Sequence, residues 1–157
     1  MIYTDEVIAT LIECPKKITK TPSKSPKSDR GHLRNDFEVE SEDGEHRFNC
    51  FVRVNEKFQE NFSVGLDYLP KDEPGSVVLV RCNGPHGPHK VHDHHMFCHI
   101  HKATSETISK GLRPESNIEV TEGYSSYQDA IQFFLKLTNI RDEGKLFPTT
   151  QLNLFKP

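Results

Sequence analysis

Hydrophobic and polar positions alternate with a period of two in the middle of the chain, which is the pattern of half-buried β-strands. The segment His46–Asn55 places Phe48, Cys50, Val52 and Val54 on one face, and Asn61–Leu69 alternates in the same way. Ser76–Cys82 is an almost continuous apolar run, which predicts a central strand buried on both faces. Shorter strands are predicted at Phe37–Ser41, His95–Lys102 and Ile118–Thr121.

Two segments have the helical period instead. Asp5–Cys14 places Val7, Ile8, Leu11 and Ile12 on one face, with Thr4 as the N-cap and Pro15 as the stop. Tyr124–Ile140 is the stronger amphipathic pattern, with Ser126 as its cap, and a short helical or mixed stretch is expected at Ala103–Lys110.

Strands that follow one another through short connections favour an antiparallel arrangement. We therefore expect an α+β fold: an antiparallel sheet of about five strands, with an N-terminal helix and a C-terminal amphipathic helix packed on it. The length of 157 residues fits a single domain spanning residues 1–157. Within it, residues 15–34 are expected to be a mobile basic loop, and residues 141–157 a loosely attached tail.

Charge is unevenly distributed although the net charge is only −3. Residues 16–34 are basic, whereas residues 36–45 carry only acidic charges. The simplest interpretation is a solvated loop followed by a solvated strand. The functional alternative is an arm that binds nucleic acid. The candidate phosphate-binding residues are Lys16, Lys17, Lys20, Lys24, Lys27 and Arg30.

The N-terminal segment has neither a basic start nor a long apolar core, and no stretch is long and apolar enough to span a bilayer. We expect a cytoplasmic protein with no membrane partner. The four cysteines are widely spaced, without a Cys-x-x-Cys pair, and are expected to be free thiols.

Histidine is concentrated in one short segment: seven of the nine histidines lie between His86 and His101. Imidazole titrates near neutral pH and is the commonest metal ligand in proteins. Because alternate residues of a strand share a face, His99 and His101 are expected to point the same way. Gly84 and Pro85 are expected to give the loop that carries His86 a defined shape.

Three interpretations of this segment remain open. The first is a metal site for zinc or another divalent transition metal, with His86, His89, His95, His99 and His101 as candidate ligands and Cys82 or Asp93 as further donors. The second is metal-free acid–base cleavage of a phosphodiester, in which Lys90 or Lys102 stabilises the developing charge. The third is a polar loop whose histidines are merely hydrogen-bonded.

If the protein is an enzyme, hydrolysis of an RNA phosphodiester is the expected chemistry, as in a ribonuclease. His99 and His101 would be catalytic with Lys102, and the basic segment would hold the RNA backbone. The alternative is a non-catalytic binding or inhibitor module that acts on a protein partner. The sequence has no His-Glu-x-x-His, GxxxxGK[ST] or GxGxxG motif, which disfavours zincin proteases and nucleotide-driven enzymes. A Ser or Cys triad stays open because its members meet only in space, but no GxSxG motif supports one.

Two segments resemble a group of small prokaryotic proteins of unknown function. One runs from Val80 to His86 and contains the Asn-Gly-Pro-His loop, and the other, His95–His101, ends in His-x-His. The amphipathic helix Tyr124–Ile140 follows in the same order. Some members of that group are encoded on mobile or defence-associated DNA. The resemblance implies a compact α+β domain and supplies no reaction.

Overall fold

A computed structural model describes residues 1–86, 96–114, 116–142, 144 and 146–147. Three helices are present in this part of the chain: α1 (Asp5–Glu13), α2 (Ser105–Ser109) and α3 (Tyr127–Leu137). The strands are β1 (Lys16–Lys20), β2 (Lys27–Asp29), β3 (His32–Ser41), β4 (Arg47–Asn55), β5 (Phe62–Leu69), β6 (Val77–Asn83), β7 (His99–Lys102), β8 (Asn117–Val120) and β9 (Ile140–Arg141).

All of these strands join one sheet, in the order β8-β7-β6-β5-β4-β3-β1-β9, with β2 also paired to β3. Neighbouring strands are antiparallel except β1 and β9, which are parallel. The α+β class is therefore confirmed, but the sheet has nine strands within the described residues rather than about five. The additional strands are β1, β2 and β9, which are short and mostly polar.

Strand alternation divides the sheet into an apolar face and a polar face. On β4 the predicted set Phe48, Cys50, Val52 and Val54 is buried, and the corresponding residues of β5 join it in one core. Ile8, Leu11 and Ile12 of α1 belong to this core, as do Ala130, Ile131, Phe134 and Leu135 of α3. Both helices therefore pack on the apolar face, and the opposite face carries polar side chains.

The predicted N-caps Thr4 and Ser126 are confirmed by hydrogen bonds, although the C-terminal helix, Tyr127–Leu137, is shorter than the predicted Tyr124–Ile140. The Thr4 hydroxyl accepts from the backbone N–H of Val7, and the Ser126 hydroxyl accepts from that of Asp129. Each satisfies an N–H that the first helical turn leaves without a partner. Acidic residues in both first turns favour the same ends through the helix dipole.

The expectation of a mobile loop at residues 15–34 is wrong. This segment contains β1, β2 and the start of β3. The sequence does not show the burial pattern of β1, because lysines occupy both of its faces. Lys16 lies opposite Ser41 and is fully buried, whereas Lys17 lies opposite Glu40 and is exposed. Lys17 Nζ is 3.2 Å from a Glu40 carboxylate oxygen.

Lys16 is the most unusual core residue, with 0% of its surface exposed. Its Nζ donates hydrogen bonds to the carbonyl oxygens of Ile12 (2.7 Å), Cys14 (2.8 Å) and Thr138 (2.8 Å). These carbonyls belong to the C-terminal ends of α1 and α3, where the helix dipole favours a cation. Nζ also lies 4.9 Å from the centre of the Phe48 ring. Burial lowers the pKa of the Lys16 ammonium, and Cys14 opposes this shift.

Of the loosely attached tail expected at residues 141–157, the structure describes 141–142, 144 and 146–147, and Phe147 among them is anchored in the core. Phe147 is 1% exposed, and its ring centre lies 5.2 Å from that of Phe37. Its backbone N–H donates to Asp142 Oδ2 at 2.7 Å, and its carbonyl accepts from Gln132 Nε2 at 2.7 Å. Residues 148–157 lie outside the described residues.

The four cysteines are free, as expected, with Cys50 and Cys82 buried. Among the described residues, none of the helices has the length and apolar character needed to cross a membrane.

We predict that Lys16→Met lowers the free energy of unfolding by about 2–4 kcal/mol, because three buried carbonyl groups lose their donor. Lys17→Met is the matched control. It removes only an exposed ion pair and should change stability by about 1 kcal/mol or less. Urea unfolding followed by circular dichroism measures both. Equal effects of the two substitutions would contradict the role assigned to Lys16.

Candidate functional site

The candidate site is built on the polar face of β6 and β7. In this antiparallel pair Asn83 lies opposite His99, and Arg81 lies opposite His101. Directly opposite residues share a face, so these four side chains form two adjacent rows. The prediction that His99 and His101 point the same way is confirmed: their ring centres are 4.9 Å apart, with an interplanar angle of 64°.

His86 joins this pair from the loop after β6. Its ring centre is 5.3 Å from that of His99, at an interplanar angle of 61°. His99 therefore lies between two other imidazoles, and we call His86, His99 and His101 the histidine cluster. His86 is exposed and His101 is half-buried, whereas His99 has no exposed surface. The cluster thus extends from solvent to the interior.

His99 is held in one orientation by a hydrogen bond to the backbone. Its Nδ1 lies 2.8 Å from the carbonyl oxygen of Phe97. A carbonyl can only accept, so Nδ1 must carry the proton and donate it. In the neutral ring the lone pair is then on Nε2. Histidines that ligate metals commonly have this arrangement, in which the second nitrogen donates to a carbonyl.

The loop that carries His86 begins where the chain passes very close to the neighbouring strand. The N–H of Gly84 donates to the carbonyl of Phe62 at 2.9 Å. A Cβ at this position would lie 2.1 Å from the Glu60 carbonyl oxygen and 2.6 Å from the Phe62 ring. Only glycine fits this approach, so Gly84 fixes where the loop leaves β6.

Tyr124 connects β6 and β7 beneath the cluster. Its buried hydroxyl lies 2.9 Å from the carbonyl oxygens of both Asn83 and His99, and its proton is donated to these acceptors. Burial raises the pKa of the Tyr124 hydroxyl, so it stays protonated. Tyr124 thereby fixes the backbone of the two residues that stand opposite each other at the site.

Two candidates are not brought into the cluster. Lys102 follows His101 directly in β7, so strand alternation places it on the opposite face. Cys82 also lies on that other face, opposite Ile100, and burial raises the pKa of its thiol to about 12. The charge of Lys102 partly offsets this shift, which is consistent with Lys102 lying near Cys82. The catalytic role expected for Lys102 and the ligand role considered for Cys82 are therefore not supported.

The remaining expected donors, His89 and His95, lie outside the described residues, as do Lys90 and Asp93. Within the described part of the chain, no group of three or more His, Cys, Asp or Glu side chains is positioned to hold a metal ion. The histidine cluster accordingly provides neighbouring imidazoles but not, in this conformation, a complete three-donor centre.

The residues expected to bind nucleic acid divide into two groups. Lys16 is buried and bound to three carbonyls, so its expected contact with phosphate is wrong. The others are exposed on β1, on β2 or in the adjoining turns: Lys17, Lys20, Lys24, Lys27 and Arg30.

Sequence reasoning missed Arg81, Asn83 and Ser63. Ser63 lies opposite Asn83, and its hydroxyl donates to Asn83 Oδ1 at 2.6 Å. A usable signal existed for Arg81, because it is the one charged residue in the apolar run Ser76–Cys82. No such signal existed for Ser63, since its place beside Asn83 depends on the register between β5 and β6.

Comparison with known proteins gave no relative: no protein-family model, no curated protein and no solved structure matches this chain.

We predict that Tyr124→Phe lowers the free energy of unfolding by about 1–2 kcal/mol, because two buried carbonyls lose their shared donor. Tyr3→Phe is the control. The Tyr3 hydroxyl is buried without a hydrogen-bond partner in the described residues, so its removal should be neutral or slightly stabilising. Thermal unfolding of both variants measures the difference. Equal destabilisation would contradict the bridging role of Tyr124.

Proposed function

We propose that the histidine cluster binds a divalent transition metal, with zinc as the best match, and that this centre hydrolyses phosphodiester bonds in RNA. The observation that carries the proposal is the anchoring of His99. Its Nδ1 donates to the Phe97 carbonyl, which leaves Nε2 as the ligating nitrogen in the neutral ring. A buried histidine fixed in this way has little orientational freedom to lose when a metal binds.

The spacing of the rings supports the same proposal. The centre of the His99 ring is 5.3 Å from that of His86 and 4.9 Å from that of His101. Imidazole ligands bind zinc at about 2.0–2.1 Å, so rings that share an ion must be close neighbours. His99 and His101 lie on a strand and would be the fixed ligands. The exposed His86 would reorient, and His89 or His95 would complete the centre.

Hydrolysis is the reaction class that such a centre fits best. A bound divalent ion acts as a Lewis acid and makes water a better nucleophile near neutral pH. Arg81 lies opposite His101 on the same face, and its guanidinium is suited to binding a phosphate oxygen. The polar face therefore combines candidate metal ligands with a phosphate-binding cation.

We predict that untagged protein purified without chelator binds close to one Zn²⁺ per chain. His99→Gln/His101→Gln and His86→Ala should each weaken binding by about tenfold or more. His32→Ala is the matched control, because His32 lies at the start of β3, away from the cluster, and should leave binding unchanged. Isothermal titration calorimetry measures the affinity for Zn²⁺, and elemental analysis measures the metal content. Circular dichroism confirms that each variant is folded. Wild-type protein that binds no zinc, manganese, iron, nickel or copper would refute the metal site.

We further predict that the metal-loaded protein cleaves a fluorescently labelled RNA 12-mer. Cleavage should stop with EDTA and fall at least about 100-fold in His101→Gln, as expected for the loss of a group that takes part in the reaction. Lys102→Ala should retain activity because Lys102 lies on the other face. Cleavage that persists fully in EDTA would show metal-free acid–base chemistry instead. If the metal-loaded protein cleaves no RNA, the proposed hydrolysis is refuted and the alternative of a non-catalytic binding module remains.

A further inference from the structure

A single row of polar and basic residues crosses the sheet on its polar face and ends at the histidine cluster. The strand registers place Lys27 opposite Arg34, Arg34 opposite Arg53, and Arg53 opposite Ser63. They continue with Ser63 opposite Asn83 and Asn83 opposite His99. Six strands, β2 to β7, therefore each contribute one residue. Strands are spaced by about 4.8 Å, so the row is about 24 Å long.

The basic end of this row has like charges in direct opposition. Arg34 and Arg53 face each other across β3 and β4, and both are exposed. Like charges directly opposite each other destabilise a sheet, so this pair opposes folding stability. Lys27 adds a third exposed cation next to Arg34. In the described residues neither Lys27 nor Arg53 forms a salt bridge within 4.0 Å.

Arg34 is held in a fixed position between the other two cations. Its Nε lies 2.8 Å from Asp36 Oδ1, and its guanidinium lies 4.8 Å from the centre of the Phe51 ring. The carboxylate of Asp36 also accepts from Asn49 Nδ2 at 3.0 Å. Asp36 therefore neutralises part of the charge, but it also orients Arg34 so that less freedom is lost on binding.

A cavity of about 640 Å³ opens beside this basic end. Its lining includes the cations Lys20, Lys27 and Arg34, the carboxylates Asp29 and Asp36, and three serines, so the cations exceed the acids by one. Basic side chains and small hydroxyl residues around one concavity suit a phosphate group and its ribose. The cavity continues the row away from the histidine cluster.

We propose that the three exposed cations at the basic end of this row, Lys27, Arg34 and Arg53, bind the backbone of a single-stranded nucleic acid. The strand then follows the row toward the exposed His86 of the histidine cluster, whereas Asn83 and His99 are buried and do not contact it. This inference deepens the proposed function by naming the form of its substrate. A stacked strand advances about 3.4 Å per phosphate, so a row of about 24 Å accommodates up to about seven nucleotides. The three exposed cations bind phosphates at one end, and Ser63 and Asn83 separate them from the imidazoles.

Single-stranded rather than duplex nucleic acid fits because the contacts form one line. Binding should be strongly salt-dependent and only weakly dependent on base sequence, since phosphate contacts carry no sequence information. RNA and DNA share the backbone charge, so the experiment includes both.

The test is fluorescence anisotropy with labelled 12-mers of uridine and of deoxythymidine, measured without metal and over a range of salt concentrations. Lys27→Ala and Arg53→Ala should each weaken binding about fivefold, the upper range for an exposed ion pair. The double variant should reduce the slope of log K against log salt by about 1.4, since each phosphate contact contributes about 0.7 on a single strand.

Arg47→Ala is the matched control. Arg47 lies on the same strand and face as Arg53 and is exposed, but it is six residues away, about 20 Å. It should leave affinity and salt slope unchanged. Equal weakening by Arg47→Ala and Arg53→Ala, or no binding of either 12-mer by wild-type protein, would overturn the proposal. Tighter binding of a duplex than of both single strands would overturn it as well.

The binding and metal experiments fail independently. Oligonucleotide binding that needs Lys27 and Arg53 in a protein that binds no metal would retain the row and refute the metal centre. Metal binding without oligonucleotide binding would retain the metal centre and refute the role of the row.

Discussion

The buried ammonium of Lys16 connects the parts of this fold that would otherwise meet only through apolar contacts. A charged group without exposed surface is tolerated only when its hydrogen-bonding capacity is satisfied, and three carbonyl oxygens do this here. Two of the carbonyls come from the end of α1 and one from the end of α3, so one side chain sets the position of both helices against β1. The same hydrogen bonds stabilise the ends of both helices, because the last carbonyl groups of a helix have no donor within it. Sheet and helices are thus joined by a contact with fixed geometry.

That junction leaves the other face of the sheet for polar chemistry. With both helices on the apolar face, the opposite face carries arginines, serine, asparagine and histidines in register. Close packing is still present on this face: a Cβ at Gly65 would lie 2.3 Å from the Phe51 ring, so the ring covers the glycine and supports Arg34. The polar residues therefore rest on a rigid base, which favours accurate placement of a binding row.

The sequence predicted elements that depend on local patterns and missed those that depend on register. Thr4 and Ser126 were correctly identified as caps because a cap acts on residues three positions away. The shared face of His99 and His101 followed from strand alternation alone. By contrast, β1 and β2 were missed because their lysines and serines show no apolar periodicity, and only pairing with β3 makes them strands. Arg53, Ser63 and Asn83 could not be placed in one row, since neighbours across a sheet are set by long-range pairing.

β1 and β9 pair in parallel although they lie far apart in the sequence, and this separation affects folding during synthesis. Thr138, which accepts from Lys16, lies 122 residues further along the chain. At about 5–20 residues per second a ribosome needs on the order of 6–25 seconds to reach it. During this time β1 is an unfinished edge, which is the kind of strand that pairs with other chains. Exposed lysines discourage such pairing, so Lys17 and Lys20 protect this edge of the nascent chain until β9 has been synthesised.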